Sequence, residues 1–141
     1  MILPALASAL ALLAPAAMTG ADPATGEWLT EDGAAKVAIA PCSYAPARMC
    51  GAVTWLQDPV HKPTRDVMNP DKALRGRPLV GLLVVRDMQS AGPGRWTGGK
   101  IYDAESGKTY AGKLKALSRN RLQVEGCVLM VCDSETWTRA N

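Results

Sequence analysis

Along most of the chain, apolar and polar residues alternate over short distances. In Arg121-Leu122-Gln123-Val124-Glu125 every second residue is apolar, the spacing of a strand with one dry and one wet face. No window sustains the spacing of an amphipathic helix, so the predicted elements are strands. Eight are expected: Gly26 to Thr30, Ala35 to Pro41, Gly51 to Leu56, Pro78 to Arg86, Arg95 to Tyr102, Thr109 to Leu117, Arg121 to Cys127 and Ser134 to Arg139. Glu31-Asp32-Gly33 and Glu105-Ser106-Gly107-Lys108 supply glycine where the chain must reverse, and Ser118-Arg119-Asn120 is a short polar link. Leu79 to Val85 is apolar on both faces and is expected to be the most covered strand. Gln57 to Arg77 breaks the rhythm and predicts a long loop, with one helical turn at Pro70 to Leu74. Short antiparallel strands joined by tight turns hide their edges by closing on themselves. The expectation is an all-β fold, a small antiparallel up-and-down barrel, with a two-sheet sandwich as second choice.

The chain opens differently. Its first charged residue is Asp22, and the apolar centre of the preceding stretch, Ala5 to Ala17, is mostly Ala and Leu. That reads as a secretory signal peptide over residues 1–21, with Thr19-Gly20-Ala21 as the cleavage region, although no Lys or Arg leads it. Pro4 and Pro15 interrupt the stretch, and it is shorter than the roughly 20 apolar residues of a spanning helix, so no integral membrane anchor is expected. Residues 22–141 then form a single domain in the periplasm or outside the cell. The net charge of +3 is too mild to suggest a nucleic-acid partner. Cys42, Cys50, Cys127 and Cys132 all lie in the mature part, an even number suited to two disulfides in an oxidising compartment. Three pairings are open. Cys42 with Cys50 and Cys127 with Cys132 is preferred, because each pair brackets a short loop between strand-like runs.

Gly26-x-Trp28, Cys50-Gly51-x-Val53-x-Trp55-Leu56, Asn69-Pro70-Asp71, Leu74-Arg75-x-Arg77-Pro78-Leu79-Val80-Gly81, Trp96-x-Gly98-Gly99-Lys100-Ile101-Tyr102-Asp103, Ser106-Gly107-Lys108-Thr109-Tyr110, Gly126-Cys127 and Trp137-Thr138-Arg139 occur in that order. Together they resemble the bacterial domain of unknown function 2147 family over essentially the whole mature chain. The resemblance implies an exported, lipocalin-like eight-stranded barrel with no settled activity. Members commonly have Pro where this chain has Ala104 and Asn where it has Met68. Trp28 near the start and Arg139 at the end resemble the lipocalin arrangement in which an Arg of the last strand covers a Trp of the first. A guanidinium can stack on an indole while its donors bond carbonyls, which makes the pair a structural plug.

Candidate chemistry is sparse. Gly94 to Lys100 matches the start of a phosphate-binding loop, but Ile101 stands where a Ser or Thr must hold magnesium, and a strand rather than a helix follows. His61 is the only histidine and lies in a Pro-flanked loop, with no Cys-x-x-Cys pair to join it at a zinc and no Gly-x-Ser-x-Gly elbow. Asp66, Asn69 and Asp71 could be calcium ligands, but Arg65, Lys72 and Arg75 beside them oppose a cation. No enzyme, metal site or cofactor is expected. Two functions remain. One is a barrel holding a small hydrophobic or amphipathic ligand, anionic ones included, among Val53, Trp55, Leu82, Val84, Ile101, Leu114, Leu122 and Val124, with Lys62, Arg65, Lys72, Arg75 and Arg77 drawing it to the mouth. The other is a structural or protein-interaction module of the cell envelope, with a barrel packed solid.

Overall fold

The computed structural model describes residues 20–140. The signal peptide predicted over 1–21 lies outside them except for Gly20 and Ala21. Eight antiparallel strands run β1 (Gly26–Leu29), β2 (Ala35–Cys42), β3 (Ala45–Leu56), β4 (Leu83–Ser90), β5 (Arg95–Asp103), β6 (Lys108–Ser118), β7 (Arg121–Val128) and β8 (Val131–Arg139). Each pairs with its sequence neighbour, and β8 returns to β1 to close an up-and-down barrel. The seam is short, made of Trp28 opposite Arg139 and Leu29 opposite Thr138.

Three strand starts differ from expectation by three residues or more, and β4 runs on to Ser90 rather than ending at Arg86. β3 starts at Ala45 rather than Gly51, because the β2–β3 ladder continues past a register shift to pair Cys42 with Ala45. The Cys42–Cys50 disulfide staples that hairpin. β8 starts at Val131 rather than Ser134, because Val128 pairs with Val131 and the Cys127–Cys132 disulfide holds the hairpin to its tip. Both disulfides are the preferred pairs. β4 starts at Leu83 rather than Pro78, so the apolar run from Leu79 is only half strand. Its first part is loop, tied by Leu79 N–H to the Thr64 carbonyl and Gly81 N–H to the Val53 carbonyl. Val80 is exposed as a result, and only Val84 and Val85 of the run are buried. The predicted helical turn is a 3-10 turn at Lys72–Leu74, capped by the Asp71 carboxylate.

The barrel interior is narrow. Trp28, Val37, Ile39, Met49, Val85, Met88, Leu114, Leu122 and Val124 are buried in one cluster, with Ile101 and Leu82 packed against it. Three glycines take part in this packing by what they lack. A Cβ on Gly51 would meet the Ile39 Cδ1, Val37 Cγ1 and Val85 Cβ atoms. One on Gly112 would press on Ile101, and one on Gly99 would strike the Met88 sulfur and the Arg86 carbonyl oxygen. The missing methyl groups leave room for Ile39, Met88 and Ile101 to fill the barrel.

Gly99→Ala is therefore expected to overpack the barrel and destabilise it by about 1–3 kcal/mol. Thermal unfolding checks this. A melting temperature equal to the parent's would mean the interior has slack.

Candidate functional site

In an up-and-down barrel, alternate turns lie at the same end. One end carries the chain leading into β1, the β2–β3, β4–β5 and β6–β7 turns and the end of β8. The other carries the β1–β2, β5–β6 and β7–β8 turns and the long β3–β4 loop.

The first end is closed by Trp28 and Arg139. Trp28 is fully buried, and its indole N–H donates to the Ala24 carbonyl at 2.9 Å. The Arg139 guanidinium lies over the ring at 4.3 Å from its centroid. Its N–H groups donate to the carbonyls of Arg119 (2.7 Å), Thr25 (3.1 Å) and Pro23 (3.3 Å), so one side chain ties the end of β8 to the β6–β7 turn and to the chain before β1. Gly26, at φ 140°, is required here, since a Cβ would collide with the guanidinium. Asp22 completes the plug. Its carboxylate accepts from Ala24 N–H (2.9 Å), Gly94 N–H (3.0 Å) and the Trp96 indole (3.0 Å). Trp28 and Arg139, expected as a plug, are stacked at this end, and nothing in the sequence announces that Asp22 bonds Trp96 beside them.

The other end carries the long loop, and its anchor is Asp66. This carboxylate is fully buried and accepts from the Tyr102 hydroxyl (2.5 Å), the Arg77 guanidinium (2.8 Å) and the Asn69 amide (2.9 Å). Burial alone would raise its pKa. The hydrogen bonds from Tyr102, Asn69 and Arg77 outweigh burial and hold it below the ordinary carboxylate value. Burial first, and then the bond to Asp66, push the Tyr102 hydroxyl up to about 12. A backbone bond from Asp66 N–H to the Arg77 carbonyl closes the loop on itself. The loop also rests on the β5–β6 turn, where a Cβ on Gly107 would run into the Met68 carbonyl oxygen.

The expected mouth cations have other work. Arg77 pairs with Asp66, Arg75 donates to the Asn69 carbonyl at 2.7 Å, and Arg65 donates to the Gly76 carbonyl at 2.5 Å. They fasten the loop to itself and to β5. Lys62 and Lys72 remain exposed. Asp66 and Asn69, weighed as calcium ligands, are instead saturated by protein donors.

Among the expected lining residues, Val53, Val84, Leu114, Leu122 and Val124 are buried, and Leu82 and Ile101 are half-buried against the core. Trp55 is not inside. It is 39% exposed, with the Lys36 ammonium 4.8 Å from its ring centroid. Strict alternation from Val53 would point it inward, but a register shift sets Val53 against Val37 and Trp55 against Lys36, turning the indole outward. Two open clefts, each about 390 Å³, lie against Ala21, Asp22 and Pro23 at the plugged end. None of the expected lining residues borders either cleft. Glu125, Cys127 and Cys132 bring potential metal-ligand atoms within 4.8 Å of one another, but both sulfurs are committed to a disulfide. Among the described residues, no buried side-chain nitrogen or oxygen lacks a partner, so none is left aimed at a missing ligand.

Residues 26–139 match the family described as "Uncharacterized protein conserved in bacteria (DUF2147)". No curated protein matches the chain. Its fold is similar to that of protein HP1028 from the human pathogen Helicobacter pylori, described as belonging to the lipocalin family, with a TM-score of 0.72 and 22% identity over 84% of this chain and 83% of that one. At that identity the likeness shows the fold alone.

Two expectations follow, one from each end. Arg139→Ala removes the stacked cation and strands three carbonyls, and is expected to lose about 1–3 kcal/mol. A thermal melt several degrees lower would report it, and an unchanged melt would contradict the plug. At the other end, the Asp66 carboxyl lies lower when folded than when unfolded, so its stabilisation is complete above the unfolded value near pH 4 and is lost as pH falls through the folded value. Tyr102 acts at the alkaline side, where stability falls as pH rises from 10 toward about 12 because the unfolded phenol ionises first. Denaturant titrations across pH should show Asp66→Asn well below the parent at pH 7, with the gap narrowing in acid. A gap independent of pH would contradict the latch.

Proposed function

The chain belongs to the family of uncharacterized proteins conserved in bacteria (DUF2147), and we propose that it is an exported, non-catalytic module of the cell envelope that acts through its outer surface. The observation carrying this reading is the filled interior. Gly51, Gly99 and Gly112 give up their side-chain space to Ile39, Met88 and Ile101, where a ligand-holding barrel would keep a cavity. One end is also shut, by Arg139 over Trp28.

Export is supported by the two disulfides and by the family's description as bacterial, since such bonds persist in oxidising compartments. Among the described residues no helix is long and apolar enough to cross a membrane. Asp22, expected to stand at the start of the mature chain, is bonded to Gly94 and Trp96. A second reading, a small hydrophobic or amphipathic ligand held within the barrel, is favoured by the likeness to a lipocalin-family fold. It requires the interior to repack.

Native mass spectrometry of protein purified gently from its own periplasm separates the two. The filled-barrel reading predicts a clean mass lacking residues up to about Ala21 and four hydrogens, with nothing bound. A stoichiometric lipid-sized adduct would favour the ligand reading, and four free thiols would contradict export.

A further inference from the structure

Sheet register leaves the β7–β8 hairpin standing clear of the barrel on one side. β1 stops at Leu29, opposite Thr138, so Val131 to Glu135 of β8 pair with β7 alone. Beyond the Cys127–Cys132 disulfide the tip is Val128-Leu129-Met130-Val131, with exposures of 53%, 96%, 97% and 72%. No charge occurs from Gly126 to Cys132. Adjacent apolar side chains held out in water are unfavourable, and a folded domain normally turns them inward. Leu129 also takes φ 55°, at the first central position of a two-residue turn, where glycine is favoured. Exposure and backbone strain thus fall on the same residue, directly above a disulfide that holds it there. Strain kept by its surroundings points toward function.

The shape of the tip narrows what could cover it. Four side chains cannot supply the roughly 800 Å² per partner of a stable protein interface. A second copy pairing along the open β8 edge about Ser134 would set Asp133 against Glu135, like charges face to face. The tip also shares its end of the barrel with exposed Val60 (82%), Val67 (46%), Met68 (53%) and Val80 (51%) on the β3–β4 loop. A surface able to meet a protruding tip and a scatter of apolar groups on the same end is broad and yielding, as a bilayer is. We propose that the β7–β8 tip dips into the interfacial layer of a phospholipid bilayer, with Leu129 and Met130 as the inserted side chains. Its place in the cell rests on the surface-acting reading above. Glu125 and Asp133 flank the tip, so the contact does not depend on anionic lipid. A single hairpin gives shallow, reversible attachment.

Co-sedimentation of the disulfide-bonded mature chain with phosphatidylcholine vesicles, and with vesicles containing phosphatidylglycerol, tests this. The parent should partition onto both, and Leu129→Asp should lower partitioning by about tenfold. Leu129→Gly relaxes the positive φ, so it should melt no lower than the parent yet bind vesicles several-fold less. A parent that stays in the supernatant with both vesicles overturns the proposal. So do variants that bind as the parent does, or a lipid-free dimer of the parent that Leu129→Asp breaks. A ligand mass in the barrel would instead sink the filled-barrel reading and leave the vesicle result intact.

Discussion

Everything in this fold depends on β8 finding β1, and that closure is narrow. Only two residue pairs join the strands, at Trp28–Arg139 and Leu29–Thr138. So short a ladder contributes little by itself, since a net backbone hydrogen bond is worth about 1 kcal/mol. Arg139 enlarges it by stacking on Trp28 and bonding three carbonyls from two other segments. Farther along the seam, the Glu31 carboxylate accepts from the Thr136 N–H and bridges the gap where β1 has already ended. The seam is thus closed by side chains where backbone runs out.

The functional reading rests on close packing inside the barrel. The interior is filled by Ile39, Met88, Ile101 and their neighbours, with glycines yielding space across from them. Polar groups that would otherwise orient a ligand are turned to structural work. Asp66, Tyr102, Asn69 and Arg77 satisfy one another beneath the long loop. A buried carboxylate with three donors is stable only as a complete set, so the loop behaves as part of the barrel. What remains unsatisfied is on the outside, at the apolar hairpin tip.

Much of the fold was legible because alternation, turn glycines and paired cysteines are local signals. Arg121 to Glu125 reads as a strand from five residues, and both disulfides followed from the loops they bracket. The errors lie where tertiary contact overrides local pattern. A register shift turned Trp55 outward, and the loop's backbone bonds took Pro78 to Leu82 away from β4. The latch was illegible for a related reason. Asp66 and Tyr102 lie on a loop and a strand 36 residues apart, and nothing in either neighbourhood announces the pairing. Arg77 read as a solvated cation because its partner is brought to it only by the fold. Trp28 and Arg139 were the exception, recognisable through family resemblance rather than through any local pattern.

The central claim is that the barrel is packed solid. Xenon enters dry apolar cavities and scatters strongly, so crystals of the mature protein under xenon pressure test that claim directly. No ordered xenon is expected among Val53, Leu114, Leu122 and Val124. A well-occupied xenon site there would reveal an interior cavity and contradict it.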